Sequence, residues 1–167
     1  MTISSTTVKV SYSGNGSTTV FAYTFKILDD DEIQVIIRSS TGTETVKTKT
    51  THYTVSGVGS SGGGNITFLT APTSTQTVVL RRLTTQTQET DYVANDPFPA
   101  DSHEEALDRV TMVAQEIQEE LGRAIKLSKT NTMTSTEFTV AAADRANKIL
   151  AFDTNGEISV TQELGTY

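Results

Sequence analysis

Between residues 18 and 28 the segment TTVFAYTFKIL alternates strictly, with Phe21, Tyr23, Phe25 and Ile27 on one side and Val20, Ala22, Thr24 and Lys26 on the other. A period of two is the pattern of a strand with one buried face, so the aromatic side needs a second layer to pack against. The surrounding sequence supplies partners. VKVSY (8–12), EIQVIIRS (32–39), TVKTK (45–49), HYTV (52–55), NITF (65–68) and QTVVLRRL (76–83) are short β-branched or aromatic runs separated by Gly, Asn, Asp and Ser. In the last run Val78 and Leu80 share one face, and Val79 and Arg81 the other. Threonine makes up roughly one residue in five, which favours strands over helices. Residues 8–83 therefore form the candidate globular core.

That core must be economical. Hydrophobic residues are 35% of the chain, and with the 11 glycines the total stays below the roughly 45–50% usual for globular domains. The 167 residues suit one medium domain or a small domain with an extension. A net charge of −7 has the wrong sign for a nucleic-acid or anionic-membrane partner. No apolar run reaches transmembrane length, and MTISSTTVKV has no signal-peptide pattern, so the chain is expected to be soluble and made in a cytoplasm. There is no cysteine, and His52 and His103 are far apart in sequence, which removes disulfides, thiolate chemistry and most metal sites.

Two features invite chemistry and lose it on inspection. The loop GVGSSGGG (57–64) lacks the Lys-Ser or Lys-Thr pair and following helix of a phosphate cradle, so it is a hairpin loop. Asp29, Asp30 and Asp31 lack the spaced oxygen ligands of an EF-hand, so they form a solvated turn. Ser102 next to His103 is explained by helix capping, and no pair of opposed carboxylates with sugar-stacking aromatics is visible. No catalytic residue, cofactor or metal is expected.

The stretch 84–100, TTQTQETDYVANDPFPA, keeps no period and carries Pro97 and Pro99, so it is an extended connector anchored by Tyr92, Val93 and Phe98. A helix is predicted from Ser102 to Leu127, with Ser102 and Glu105 as a capping box and Arg123 and Lys126 at its far end. Leu107, Ala114 and Leu121 fall on one heptad position, and Val110, Ile117 and Ala124 on the other core position. This seam predicts a coiled coil, trimeric by first choice. The alternative is an amphipathic helix lying on its own sheet, for which Val113 and Ile125 widen the apolar stripe. Gly122 predicts close helix approach or a local kink. After a polar linker at 128–138, KILAFDTNGEISV places Asn155-Gly156 between two β runs, a hairpin signal.

The fold class expected is thus a mainly β, sandwich-like N-terminal domain, a long helix in a trimeric coiled coil, and a short C-terminal hairpin segment. The domain boundaries expected are 1–100, 101–127 and 128–167.

The run Gln88 to Leu127, with its Thr90-Asp91-Tyr92 turn, its Asp96-Pro97-Phe98-Pro99-Ala100 element and its Glu105-Ala106-Leu107-Asp108-Arg109 helix start, resembles the N-terminal attachment region of bacteriophage tail fibre and tailspike proteins, of the T7-like tail fibre type. The resemblance covers about residues 5–127. RANKILAFDTNGEISV resembles a segment farther along such fibres, where the shaft begins. What this implies is a structural virion protein: a homotrimer bound to tail tube, adaptor or nozzle proteins, carrying or leading to a receptor-binding element. A second fibre or tailspike would dock on the C-terminal segment. The alternatives are the N-terminal part of a polysaccharide-degrading tailspike and a carbohydrate-binding adhesin.

Overall fold

Two sheets share the aromatic core that the alternation demands. The computed structural model describes residues 3, 5–88, 91, 97, 99–134 and 140–163. One sheet has four strands in the order β1 (Lys9–Ser13), β7 (Thr77–Arg82), β3 (Ile33–Arg38) and β4 (Glu44–Val46). The other has three, in the order β2 (Val20–Tyr23), β6 (Gly64–Phe68) and β5 (Tyr53–Ser56). All these pairings are antiparallel. Val10, Leu80 and Val35 stand in register across the first sheet, as do Tyr12, Val78 and Ile37. Phe21 and Val55 flank Ile66 in the second, and Tyr53 faces Phe68.

Phe21, Tyr23, Phe25 and Ile27 are all buried in one cluster with the inward residues of both sheets. Strand pairing ends at Tyr23, yet the alternation continues, so Phe25 and Ile27 are buried from the chain that leaves β2. Each such side chain contributes roughly 1.5–3 kcal/mol of transfer free energy. Phe21 and Phe68 meet edge to face at 5.7 Å, a favourable arrangement of ring quadrupoles. The Tyr23 hydroxyl donates to the Ser56 carbonyl at 2.7 Å, which lets a phenol lie inside, and burial raises its pKa.

The glycine loop belongs to this packing. Gly63 has φ +83°, and a Cβ there would lie 1.9 Å from the Tyr23 carbonyl oxygen. Only glycine lets the β5–β6 connection pass so close to β2.

The long coiled coil is not there. The helix α1 runs from Ala100 to Gly122, 23 residues, and lies against the β domain with Asp108, Met112 and Glu116 buried. Ala124 is therefore outside the helix, and Leu107, Val110, Ala114, Ile117 and Leu121 all face solvent. The physical reason is that the charged face, and not the leucine face, has partners on the sheet. The expected capping box is also absent. Pro99 stands at the N-cap without a side-chain cap, so Ser102 and Glu105 fall within the first turns. Proline lacks an N–H, so one of the unsatisfied donors of a helix start is missing there from the outset. Among the described residues outside its own helix, nothing lies within 4 Å of where a Gly122 Cβ would stand, so the glycine ends the helix without a close helix approach.

The chain divides into two compact units, residues 1–124 and 125–167. The second contains a short helix α2 (Ala142–Arg145), which has no counterpart in the sequence reading, and the antiparallel hairpin of β8 (Lys148–Phe152) and β9 (Ile158–Glu163). Its turn is closed by Asp153 N–H to Glu157 O at 2.9 Å and Gly156 N–H to Asp153 O at 3.0 Å, with Gly156 at φ +80°. This is a type I turn followed by a glycine bulge. Among the described residues no helix is long and apolar enough to cross a membrane.

Replacing Gly63 by alanine combines positive φ with a backbone clash, and is expected to cost about 2 kcal/mol or more. Thermal unfolding of Gly63→Ala would check this, and an unchanged midpoint would show that the loop can move away from β2.

Candidate functional site

The face of α1 that meets the β domain is built from charges. Asp108, Met112 and Glu116 are spaced by four and share one side of a helix. Opposite them the sheet ends supply Lys26, Glu32 and Arg82. Arg82 continues the inward parity of Val78 and Leu80, so its guanidinium emerges at the end of the core, where it is almost fully buried. Its Nε donates to Glu116 Oε1 at 2.8 Å, and Nη2 donates to Gln115 Oε1 at 2.8 Å and to the Met112 carbonyl at 3.2 Å. Glu116 in turn accepts from the Thr84 N–H at 3.0 Å and from its hydroxyl at 2.5 Å.

Two more pairs flank this one. Lys26 Nζ lies 2.8 Å from Asp108 Oδ2, while Asp108 Oδ1 accepts from the Ile3 N–H at 3.0 Å. Arg109 Nη1 lies 2.5 Å from Glu32 Oε1, and the Glu32 carboxylate also accepts from the N–H groups of Leu28 and Thr85 at 3.1 Å. Among the described residues every buried side-chain nitrogen or oxygen has a partner. The charges run in both directions: the sheet offers two cations and one anion, and the helix the complement. A helix turned by half a circle would leave all of them buried and unpaired, so this set fixes which side of α1 faces out.

Outside the buried set, Glu119 bridges Lys9 at 2.5 Å and Arg123 at 3.0 Å. Hydrogen bonding from Arg123, with Lys9 adding to it, lowers the Glu119 pKa to about 2.

The outward side is apolar. Leu107 is 57% exposed, Val110 70%, Ile117 50% and Leu121 49%. Next to this strip lies a cleft of about 780 Å³, floored by Val110, Val113 and Ile117 and walled by Thr85, Gln86, Thr87 and Gln88 with Asp91 and Pro99. Thus the seam residues Leu107, Val110, Ala114, Ile117 and Leu121 do share one face, while Ala124 does not belong to the helix. Of the connector motif, Asp91, Pro97 and Pro99 are exposed, and Thr90, Tyr92, Asp96 and Phe98 lie outside the described residues.

The three aspartates at 29–31 converge with their oxygens within 4.8 Å of one another. Lys49 places its ammonium 2.5 Å from both Asp30 and Asp31, and its hydrogen bond lowers the Asp30 pKa. The cluster is a lysine-closed turn joining residues 29–31 to the chain before β5. His52, expected within a strand, sits in the turn preceding β5 and accepts the Thr48 N–H at 3.2 Å.

Sequence reasoning did not single out the ionic seat. Its signal was available: Arg82 shares parity with Val78 and Leu80 in QTVVLRRL, and Asp108, Met112 and Glu116 recur every fourth residue.

No protein-family model matches the chain. Over 128 residues, 75% of its length, it is 33% identical to the tail spike protein of Salmonella phage epsilon15, of which it spans 12%. The chain is thus related to a phage tail spike, and it matches only a small part of that relative's length.

Removing one partner of the central pair, in Glu116→Ala, leaves the Arg82 cation buried, and is expected to cost about 3–5 kcal/mol and to free α1. The double variant Arg82→Met/Glu116→Leu should recover much of that loss. Denaturant unfolding with amide exchange along 100–122 measures both, and a cost below about 1 kcal/mol for Glu116→Ala would mean that the pair does not seat the helix.

Glu119 makes an acid-side prediction. Because its folded pKa lies below the ordinary carboxylate value of 4.5, its contribution is complete above about pH 4.5 and lost as the pH falls toward 2. Glu119→Gln should therefore be less stable than the native protein at pH 7 by roughly 1 kcal/mol, with the gap closing toward pH 2. Melting temperatures across that range would reveal a pH-independent gap if the bridge were unimportant.

Proposed function

We propose that this protein is a structural component of a phage tail, in which the β domain with its seated helix fastens to a tail tube, adaptor or nozzle protein. The observation that carries this reading is the 33% identity to a phage tail spike protein across 75% of the chain. In the reading, the chain corresponds to the attachment region of a fibre or spike, acts as a homotrimer in the virion tail, and carries or leads to a receptor-binding element at its C-terminal side. It performs no catalysis: the buried charges of the first unit are engaged in holding α1, and binding is by surface contact.

The surface favoured for that contact is the outer strip of α1 with its adjoining cleft. A strip of large apolar side chains that also floors a cleft provides the desolvated centre that stable interfaces use, and the acidic residues of the helix suit a basic rim on the tail partner. Fixing the helix through buried ion pairs keeps this strip presented before the partner arrives, which lowers the ordering cost of binding.

The pair Val110→Asp/Ile117→Asp tests it. Both positions are exposed, so the melting temperature should change by no more than a few degrees. Phage particles assembled with the variant should lack the protein. Normal incorporation would remove the strip from the attachment surface, and normal incorporation of a chain lacking residues 1–124 would overturn attachment through this unit altogether.

A further inference from the structure

The chain contains two Asn-Gly pairs, Asn15-Gly16 and Asn155-Gly156, and the fold holds them differently. In such a pair the asparagine side-chain amide can reach the next backbone nitrogen, because glycine has no Cβ to shield it. Both asparagines are exposed, and both glycines have positive φ, +74° at Gly16 and +80° at Gly156. Both glycine N–H groups are hydrogen-bonded, so what separates the sites is where the partners lie. Gly16 donates to the Pro72 carbonyl at 2.8 Å and Gly14 to the Gln76 carbonyl at 2.9 Å, which fastens the first turn to the segment entering β7. Gly156 donates to the Asp153 carbonyl at 3.0 Å, within its own turn. The side chains differ further. Asn15 Oδ1 accepts from the N–H groups of Ser17 at 2.9 Å and Thr18 at 2.7 Å, and Nδ2 donates to Thr18 Oγ1 at 2.8 Å. Among the described residues the Asn155 side chain makes no such bond, and only its backbone N–H is held, by Asp153 Oδ1 at 2.8 Å.

We propose that Asn155 is a site of spontaneous deamidation that opens the C-terminal hairpin with time, and that the fold protects Asn15 from the same reaction. The Gly156 nitrogen, its proton passing to hydroxide, attacks Asn155 Cγ. A new C–N bond closes a succinimide ring, and the side-chain nitrogen takes a proton from water and leaves as ammonia. Water then opens the ring at either carbonyl, giving aspartate or isoaspartate, with nothing oxidised or reduced. For Asn155 the approach requires only that one turn open, and a two-stranded hairpin opens at little cost. Asn15 would have to give up its side-chain bonds to Ser17 and Thr18 and detach from residues 72–76 of the first unit. The isoaspartate product carries the backbone through the former side chain, lengthening it by a methylene. The Gly156-to-Asp153 bond at 3.0 Å and the Asp153-to-Glu157 bond at 2.9 Å both close over residue 155, so the longer chain cannot keep both. The new carboxylate also stands between Asp153 and Glu157, adding like-charge repulsion to the turn.

Ageing the full chain in mildly alkaline buffer at body temperature, followed by digestion and mass spectrometry, reads both sites in one sample. The peptide bearing Asn155 should gain the mass of the amide-to-acid exchange at least about tenfold faster than the peptide bearing Asn15. Isoaspartate in the product is detected by its methylation with an isoaspartyl methyltransferase. In denaturant the two peptides should react at similar rates, which assigns the difference to the folded structure. Amide exchange of the aged chain should quicken across 148–163 and stay unchanged across 77–82. Asn155→Gln, which would have to close a larger ring, should keep its exchange pattern through the same ageing. Equal rates in the folded chain, a difference of the same size in denaturant, or an isoaspartate-bearing chain with unchanged exchange would each overturn the proposal.

Discussion

The rest of this structure depends on the guanidinium of Arg82. It closes a strand whose preceding inward residues, Val78 and Leu80, are core, so the fold carries a full positive charge to the end of its hydrophobic interior. Such a charge is tolerated only when its donors are satisfied and an anion is beside it. Glu116, Gln115 and the Met112 carbonyl meet that need, and all three come from α1. The helix is thereby a required part of the first unit, held by electrostatic complementarity where most small sandwiches would use more leucine.

That choice inverts the usual distribution of polarity. An amphipathic helix on a sheet normally buries its apolar stripe. Here Met112 is the apolar contribution to the buried side, while Leu107, Val110, Ile117 and Leu121 face outward. A chain with 35% hydrophobic residues exposes several of its largest ones in a line. The seat determines this orientation, because the alternative buries Leu and Val against Lys26, Glu32 and Arg82. An exposed strip held in place by buried charge is what the attachment role proposed above requires.

The second unit follows the same logic with fewer resources. It holds its turn by the Asp153 carboxylate, which accepts from the N–H groups of Asn155 and Glu157, and by the positive φ of Gly156. Local hydrogen bonds define the shape of the hairpin, and they do nothing to cover Leu150 and Phe152. In both units, then, local or buried polar contacts set geometry, and large apolar side chains are left exposed.

The alternation through Phe21, Tyr23, Phe25 and Ile27, the strand runs up to β7, and the turn at Asn155-Gly156 were legible in the sequence, because each depends on residues close in the chain and on a period of two or a specific turn chemistry. The resemblance to phage tail fibres rested on the connector and helix start, and the relation to a tail spike agrees with its broad sense. What the sequence could not decide was the direction of α1. Its heptad positions are apolar, and local pattern alone makes them the buried seam of a coiled coil. Only the tertiary structure brings Lys26, Glu32 and Arg82, from three separate segments, to the end of one core, and the cost of leaving those charges unpaired outweighs burial of the leucine stripe. Periodicity along the chain determined which residues share a face; long-range charge pairing determined which face turned inward.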